Sequence, residues 1–144
     1  MKISTKGRYA LRLMLDLASA DPTEAVSLKE VANRQGISDK YLEQIIAILN
    51  KAGCVKSVRG AQGGYLLRRK PKDYTVGMIL RLTEGSLAPV SCVEDEDFVC
   101  DKADQCVTSI VWKKINDAVN DVVDNITLQD MLEWQSAKNG QYII

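Results

Sequence analysis

Residues 27–51, SLKEVANRQGISDKYLEQIIAILNK, decide how this chain folds. Ser27 precedes Glu30 by three residues, the spacing at which a hydroxyl and a carboxylate cap a helix start reciprocally. A short helix runs on through Val31 and Ala32 and stops at Gly36, and Ser38 caps a second helix over about Asp39 to Lys51. Leu42, Ile45, Ile46 and Leu49 recur at i, i+3, i+4 and i+7, so one stripe of that helix faces a core. Helix, short turn containing Gly, then helix is the sequence form of a helix-turn-helix. The face opposite the stripe carries Lys40, Glu43, Gln44, Ala47 and Lys51. Gln can bridge the N6 and N7 edge of adenine and Glu can accept from cytosine N4, so this row suits a DNA major groove. It equally suits a solvated helix face, and the row alone does not separate the two.

Upstream, a helix beginning after Ser4 or Thr5 is expected to bury Ala10, Leu13, Met14, Leu17 and Ala18 and to end at Asp21-Pro22. Downstream, Val55–Val58 reads as a strand, Arg59-Gly60-Ala61-Gln62-Gly63-Gly64 as a glycine-rich turn and Tyr65–Arg69 as a returning strand. Together they make a β-hairpin wing with Arg59 and Gln62 at its tip and Arg68, Arg69, Lys70 and Lys72 at its base. A nucleotide-cradling loop needs a strand-to-helix context and a Gly-Lys-Ser/Thr ending, both missing here.

Charge follows the same division. Residues 1–73 hold 14 Lys+Arg against 7 Asp+Glu, and residues 74–144 hold 5 against 12, so a net charge of zero conceals a basic half and an acidic half. The basic half attracts polyanions, since Lys and Arg contacts to phosphate supply most sequence-independent affinity for DNA. No apolar run approaches the roughly 20 residues that span a bilayer, and no signal-peptide core follows Met1, so a cytoplasmic protein is expected. His is absent, which removes the commonest general base. No nucleophile-base pair stands out, and an enzyme is not expected.

After Pro71, Thr75 is placed to cap a helix with Val76, Ile79 and Leu80 inward, ending near Gly85. A long amphipathic helix is expected from Thr108 to Ile126 with Val111, Ile115, Ala118, Val119, Val122 and Ile126 on one stripe. A helix projecting from so small a domain has little core of its own, so the stripe is expected to cover a second copy. Thr127 then caps a short terminal helix carrying Leu128, Met131, Leu132 and Trp134. The fold class is mainly α with a small β-hairpin wing. Its expected parts are a winged helix-turn-helix over 1–73, a connecting helix and cysteine loop over 74–107, and a dimerisation helix with a C-terminal helix over 108–144.

Cys92, seven residues, Cys100, five residues and Cys106 form the loop's chemistry. In a reducing compartment such clusters are metal ligands or sensors more often than disulfides. Thiolates near a helix start gain from its amides, while Glu94, Asp95, Glu96, Asp97 and Asp101 are expected to raise thiol pKa values unless a cation compensates. An iron-sulfur cluster is favoured; zinc and a thiol or disulfide switch are the alternatives, since structural zinc prefers four ligands at tighter spacing. Cys54, alone between helix and wing, reads as a buried filler.

Met1–Ala10, Tyr41-Leu42-Glu43-Gln44 and Arg59–Tyr65 closely resemble the IscR/NsrR/CymR family of bacterial winged-helix regulators over nearly the whole length. The resemblance implies a homodimer on a pseudo-palindromic duplex DNA operator, with one recognition helix per half-site and the wing on the minor groove or backbone. By position Ser38, Lys40, Glu43 and Gln44 then form the base-side group, with Arg59 the wing contact and Gln62 beside it. It also implies a cluster held by Cys92, Cys100 and Cys106, 2Fe-2S favoured over 4Fe-4S. The fourth ligand does not carry over: relatives with a His after the last Cys have it where this chain has Ser109, and those that use an Asp of the first helix have it where this chain has Arg8. Asp97, Asp101, Asp104, Ser109 or an exogenous ligand are the candidates. The expected function is a repressor of iron-sulfur cluster assembly genes. The alternatives are a nitric oxide, redox or cysteine-status regulator on the same fold, or a small electron-transfer or cluster-carrier protein.

Overall fold

The computed structural model describes residues 1–95 and 97–140. Six α-helices are described: α1 (Thr5–Ser19), α2 (Leu28–Gln35), α3 (Asp39–Lys51), α4 (Val76–Glu84), α5 (Thr108–Val123) and α6 (Leu128–Gly140). The strands β1 (Val55–Val58) and β2 (Gly64–Leu67) pair antiparallel, with Val55 opposite Leu67 and Val58 opposite Gly64.

The helix ends follow from their caps. Ser27 Oγ accepts from the Glu30 amide while the Glu30 carboxylate accepts from the Ser27 amide, and Gly36 closes α2. Ser38 Oγ accepts from the Tyr41 amide and starts α3, whose Leu42, Ile45, Ile46 and Leu49 are buried. They pack with Ala10, Leu13, Met14 and Leu17 of α1, Val31 of α2, Val55 of β1, Ile79 of α4 and Leu128 of α6 in one core. Ala18 packs at its edge, only half-buried.

Tyr74 closes this core and corrects the wing. The returning strand ends at Leu67 rather than at the expected Arg69. Tyr74 Oη takes over where the ladder stops: it accepts from the amides of Arg68 and Arg69 and donates to the Cys54 carbonyl. A completely buried hydroxyl thus bonds three backbone groups at the point where the ladder ends, two of which, the Arg68 amide and the Cys54 carbonyl, also meet each other at 3.3 Å.

The long helix is likewise shorter than expected, ending at Val123 rather than Ile126. The chain leaves it to pair with the entry to α4: the Val76 amide donates to the Ile126 carbonyl, the Leu128 amide to the Tyr74 carbonyl, and Thr75 bridges Thr127. Thr127 and Asp130 then cap α6 reciprocally. That helix extends to Gly140, longer than the short one expected, and Trp134 is exposed rather than inward.

Candidate DNA-binding face and cysteine loop

Ser38, Lys40, Glu43 and Gln44 are all exposed on the first turns of α3, away from its buried stripe. Arg59 and Gln62 are exposed at the wing tip, where the Gly63 amide donates to the Gly60 carbonyl and closes a tight turn. The expected contact residues therefore occupy two exposed elements joined through β1. The fixed core behind α3 holds its backbone still while its outer face stays open, which groove reading requires.

The body also bears contacts that sequence reasoning missed. Tyr9 meets Tyr41 edge-on at 5.6 Å between ring centroids, and Arg12 lies 5.5 Å from the Tyr9 ring, tying α1 to the start of α3. Arg12 also donates to the Gln35 carbonyl at 2.8 Å, and Arg34 and Gln35 converge on the buried carboxylate of Asp16. Arg34 of α2 is thereby bound to Asp16 of α1.

Cys92 lies in a one-turn helix (Ser91–Val93), and Cys106 directly follows another (Ala103–Gln105). Cys92 and Cys100 are exposed and Cys106 half-buried at the entry to α5. The Cys106 thiol is held below its usual range, first by the Thr108 hydroxyl and then by the Ser109 amide. The helix-start donors outweigh the desolvation that raises it, which corrects the expectation that the acidic setting raises the pKa of this thiol. Glu96, one of those carboxylates, lies outside the described residues. Ser109 Oγ is engaged, donating to the Cys106 carbonyl, while Asp97, Asp101 and Asp104 are exposed.

Three free thiols, one predisposed to ionise, are the donor chemistry that iron-sulfur clusters use, so the residues fit such a group by type. The conformation does not gather them: among the described residues no three His, Cys, Asp or Glu side chains form a group that could hold a metal ion. Cys54, by contrast, is buried, and burial pushes its thiol up.

The helix before the cysteine loop, α4, is tied to both α1 and α5. The Glu84 carboxylate, in its last turn, accepts from the amide and hydroxyl of Ser4 in the cap of α1. Gly7 makes room for it, because a Cβ there would overlap Glu84 Oε1. Arg81 donates to both carboxylate oxygens of Asp124 and to Asn120, binding α4 to the last turn of α5, the end away from the cysteine loop. Gly77 allows this approach, since a Cβ there would meet Asp124 and Arg81. The contact of Ser4 with Glu84 joins residues 80 apart, and the bare glycine at position 7 was the only sequence sign of it.

No residue of α5 is fully buried. Val119, together with Val123 and Ile126, packs on Val76, Leu80 and Leu87, while Val111, Ile115 and Val122 are 48%, 37% and 57% exposed. The expected single stripe is therefore divided, one part against α4 and one part uncovered. No helix among the described residues is long and apolar enough to cross a membrane.

Comparison with known proteins agrees with this architecture. Residues 3–134 match the model of the Rrf2 family, described as iron-dependent transcriptional regulators. The chain is 41% identical over 143 residues to the HTH-type transcriptional regulator CymR of Bacillus subtilis, covering 99% of this chain and 98% of that one. It is 37% identical over 139 residues to the HTH-type transcriptional regulator IscR of Pectobacterium atrosepticum, covering 96% and 84%. Among solved structures, CymR of B. subtilis, described as its global cysteine regulator, superposes with a TM-score of 0.78 at 42% identity, covering 93% of this chain and 98% of that one. IscR of T. potens superposes with a TM-score of 0.74 at 50% identity, covering 92% and 87%. These relatives are regulators of transcription rather than enzymes or electron carriers. The winged body, the cysteine loop and the match over residues 3–134 together place the chain in the Rrf2 family of transcriptional regulators.

Proposed function

We propose that the protein is a cytoplasmic homodimeric repressor that binds a pseudo-palindromic operator and senses iron-sulfur status through Cys92, Cys100 and Cys106. The observation that carries this reading is three free thiols in one loop between α4 and α5, two helices that Arg81 and Asp124 tie together. Ser38, Lys40, Glu43 and Gln44 contact base edges or nearby phosphates, and Arg59 and Gln62 contact the minor groove or backbone. The uncovered face of α5, with Val111, Ile115 and Val122, meets the same face of a second copy.

The three cysteines would hold the cluster, which would supply an oxidisable and labile group whose presence reports iron and sulfur supply. The chain's own part is mechanical. A pull on Cys92 and Cys106 would reach Gly85 at the end of α4 and Thr108 at the start of α5, and the Glu84 bond to Ser4 and the Arg81 bond to Asp124 would pass it to α1 and to α4, which packs on α3. Anaerobic purification followed by visible absorption, with iron and sulfide assays, tests the reading. Charge-transfer bands and equal iron and sulfide are expected, and they should vanish when the three cysteines are replaced by Ala. Iron-free, colourless protein that resists reconstitution would overturn it.

A second reading has its own support. The lowered pKa of Cys106 and the likeness to a regulator described as a global cysteine regulator favour a thiol switch on the same scaffold. In that case oxidant, and not iron, changes DNA affinity.

A further inference from the structure

The basic run at the root of the wing is left unused by the DNA-binding face. Arg59 and Gln62 stand at the wing tip, and the four residues of β2 carry the chain about 13 Å away, at about 3.3 Å per residue, before Arg68, Arg69, Lys70 and Lys72 follow. Beside that run lies a cleft of about 750 Å³ between the end of α1 and the wing root. Leu17, Ala18 and Pro22 wall one side, and Leu66, Leu67 and Pro71 wall the other. Pockets of roughly 300–1,000 Å³ with apolar walls and a few fixed polar groups are the usual form of small-molecule sites.

The cations are positioned as well as present. Arg68 Nε donates to the Val55 carbonyl at 3.0 Å, and the Arg69 guanidinium lies 5.0 Å from the centre of the Tyr74 ring. The backbone beneath both is pinned by Tyr74 Oη. None of the four cations forms an ion pair among the described residues. Asp21 and Asp73 also line the cleft, and Asp21 is turned to the amide and hydroxyl of Thr23. Four cations against two carboxylates leave the cleft net positive. The other large cleft, of about 740 Å³, differs in this respect, because Arg34 and Gln35 already satisfy the buried carboxylate of Asp16 there.

We propose that the cleft at the wing root binds a small amphipathic organic anion, with its carboxylate or phosphate on Arg69 and Lys70 and its short apolar chain between Ala18 and Leu66. DNA matches this lining poorly, because a phosphodiester backbone offers the leucines and prolines no apolar body. The occupant bridges α1 to the strand that presents the wing, and so bears on wing position. The inference does not depend on what the cysteine loop binds.

The test uses the full-length protein, isotope-labelled for amide NMR and titrated with hexyl phosphate, inorganic phosphate and hexanol. Hexyl phosphate should give saturable shifts confined to Leu17–Ala20 and Leu66–Lys70. Inorganic phosphate and hexanol should each bind about tenfold more weakly or worse, since each satisfies only half of the lining. Arg69→Gln and Lys70→Gln, both at exposed positions, should each weaken hexyl phosphate by about tenfold, and Ala18→Trp should fill the cleft and abolish the shifts. Equal binding of inorganic phosphate would reduce the site to a phosphate patch and overturn the proposal. So would indifference of hexyl phosphate to the two Gln variants, or its displacement by duplex DNA with shifts at the same amides.

Discussion

The segment from Val26 to Tyr74 and the segment from Gly85 to Val123 obey opposite rules. In the first, apolar side chains from helices, hairpin and terminal helix close on one another, and even a tyrosine hydroxyl is wholly buried and fully bonded. In the second, Phe98, Val99, Val107 and Ile110 stand exposed, no helical residue is fully buried, and only short helical turns precede α5. The two cysteine environments express the same contrast. Cys54 is a packing residue with a suppressed thiol, whereas Cys106 is an accessible one whose ionisation is favoured. A densely packed DNA-binding body and a loosely packed cysteine loop are separated along one chain and joined through α4, and in the proposed function a change in the second tilts the first without unfolding it.

The largest test of that contrast is to truncate one apolar side chain in each region. Leu49→Ala should cost about 2–5 kcal/mol in urea unfolding, because Leu49 has no exposed surface and leaves a cavity. Val99→Ala, at an exposed loop position, should stay within about 0.5 kcal/mol. Comparable losses would break the distinction.

Tyr74→Phe keeps the ring and removes the hydroxyl that serves the Cys54 carbonyl and two amides. A loss of about 1–3 kcal/mol is expected, read from chemical denaturation. Unchanged stability would mean that the wing root needs no such anchor.

At the reading face, Glu43→Ala should loosen discrimination by about 1–3 kcal/mol at one base pair, measured by competition between matched and mismatched duplexes. A uniform change on all duplexes would reassign Glu43 to general electrostatics. Smaller still is the Arg81 strap. Arg81 and Asp124 are both partly exposed, so a double-mutant cycle should give only about 0.2–1 kcal/mol of stability, with the larger effect on how loop state alters DNA binding.

The last test leaves stability untouched. Since the Cys106 pKa is lowered, its thiolate fraction grows at a lower pH than that of an ordinary thiol. In the metal-free protein its alkylation by iodoacetamide should therefore accelerate at lower pH than that of Cys54, whose pKa is raised. Mass spectrometry of the labelled peptides reads this order, and labelling of Cys54 first would contradict it.

Much of the reader was legible because local signals decide it. The caps at Ser27 and Ser38 fixed two helix starts, and the stripe from Leu42 to Leu49 fixed the buried face, since each depends on residues within one or two turns. The returning strand, read two residues beyond Leu67, and the long helix, read three residues beyond Val123, failed where distant backbone competes: Tyr74 ends the hairpin ladder and the Thr75 bridge draws Thr127 out of helical geometry. The straps were invisible for the same reason, since Ser4 with Glu84 and Arg81 with Asp124 join residues far apart in the chain. The cysteines were legible as chemistry, whereas their separation in this conformation and the hydroxyl beside Cys106 depend on how the loop enters α5.

The most direct measurement of the sensor-to-reader account is DNA affinity under anaerobic conditions, on a duplex selected from random sequence, for the iron-and-sulfide-reconstituted protein and for the variant with Cys92, Cys100 and Cys106 all replaced by Ala. A difference of about tenfold or more, about 1.4 kcal/mol of coupling, with equal thermal stability of the two metal-free bodies, is the predicted result. Equal affinity of the two proteins would contradict it and leave the cysteine loop without a part in DNA recognition.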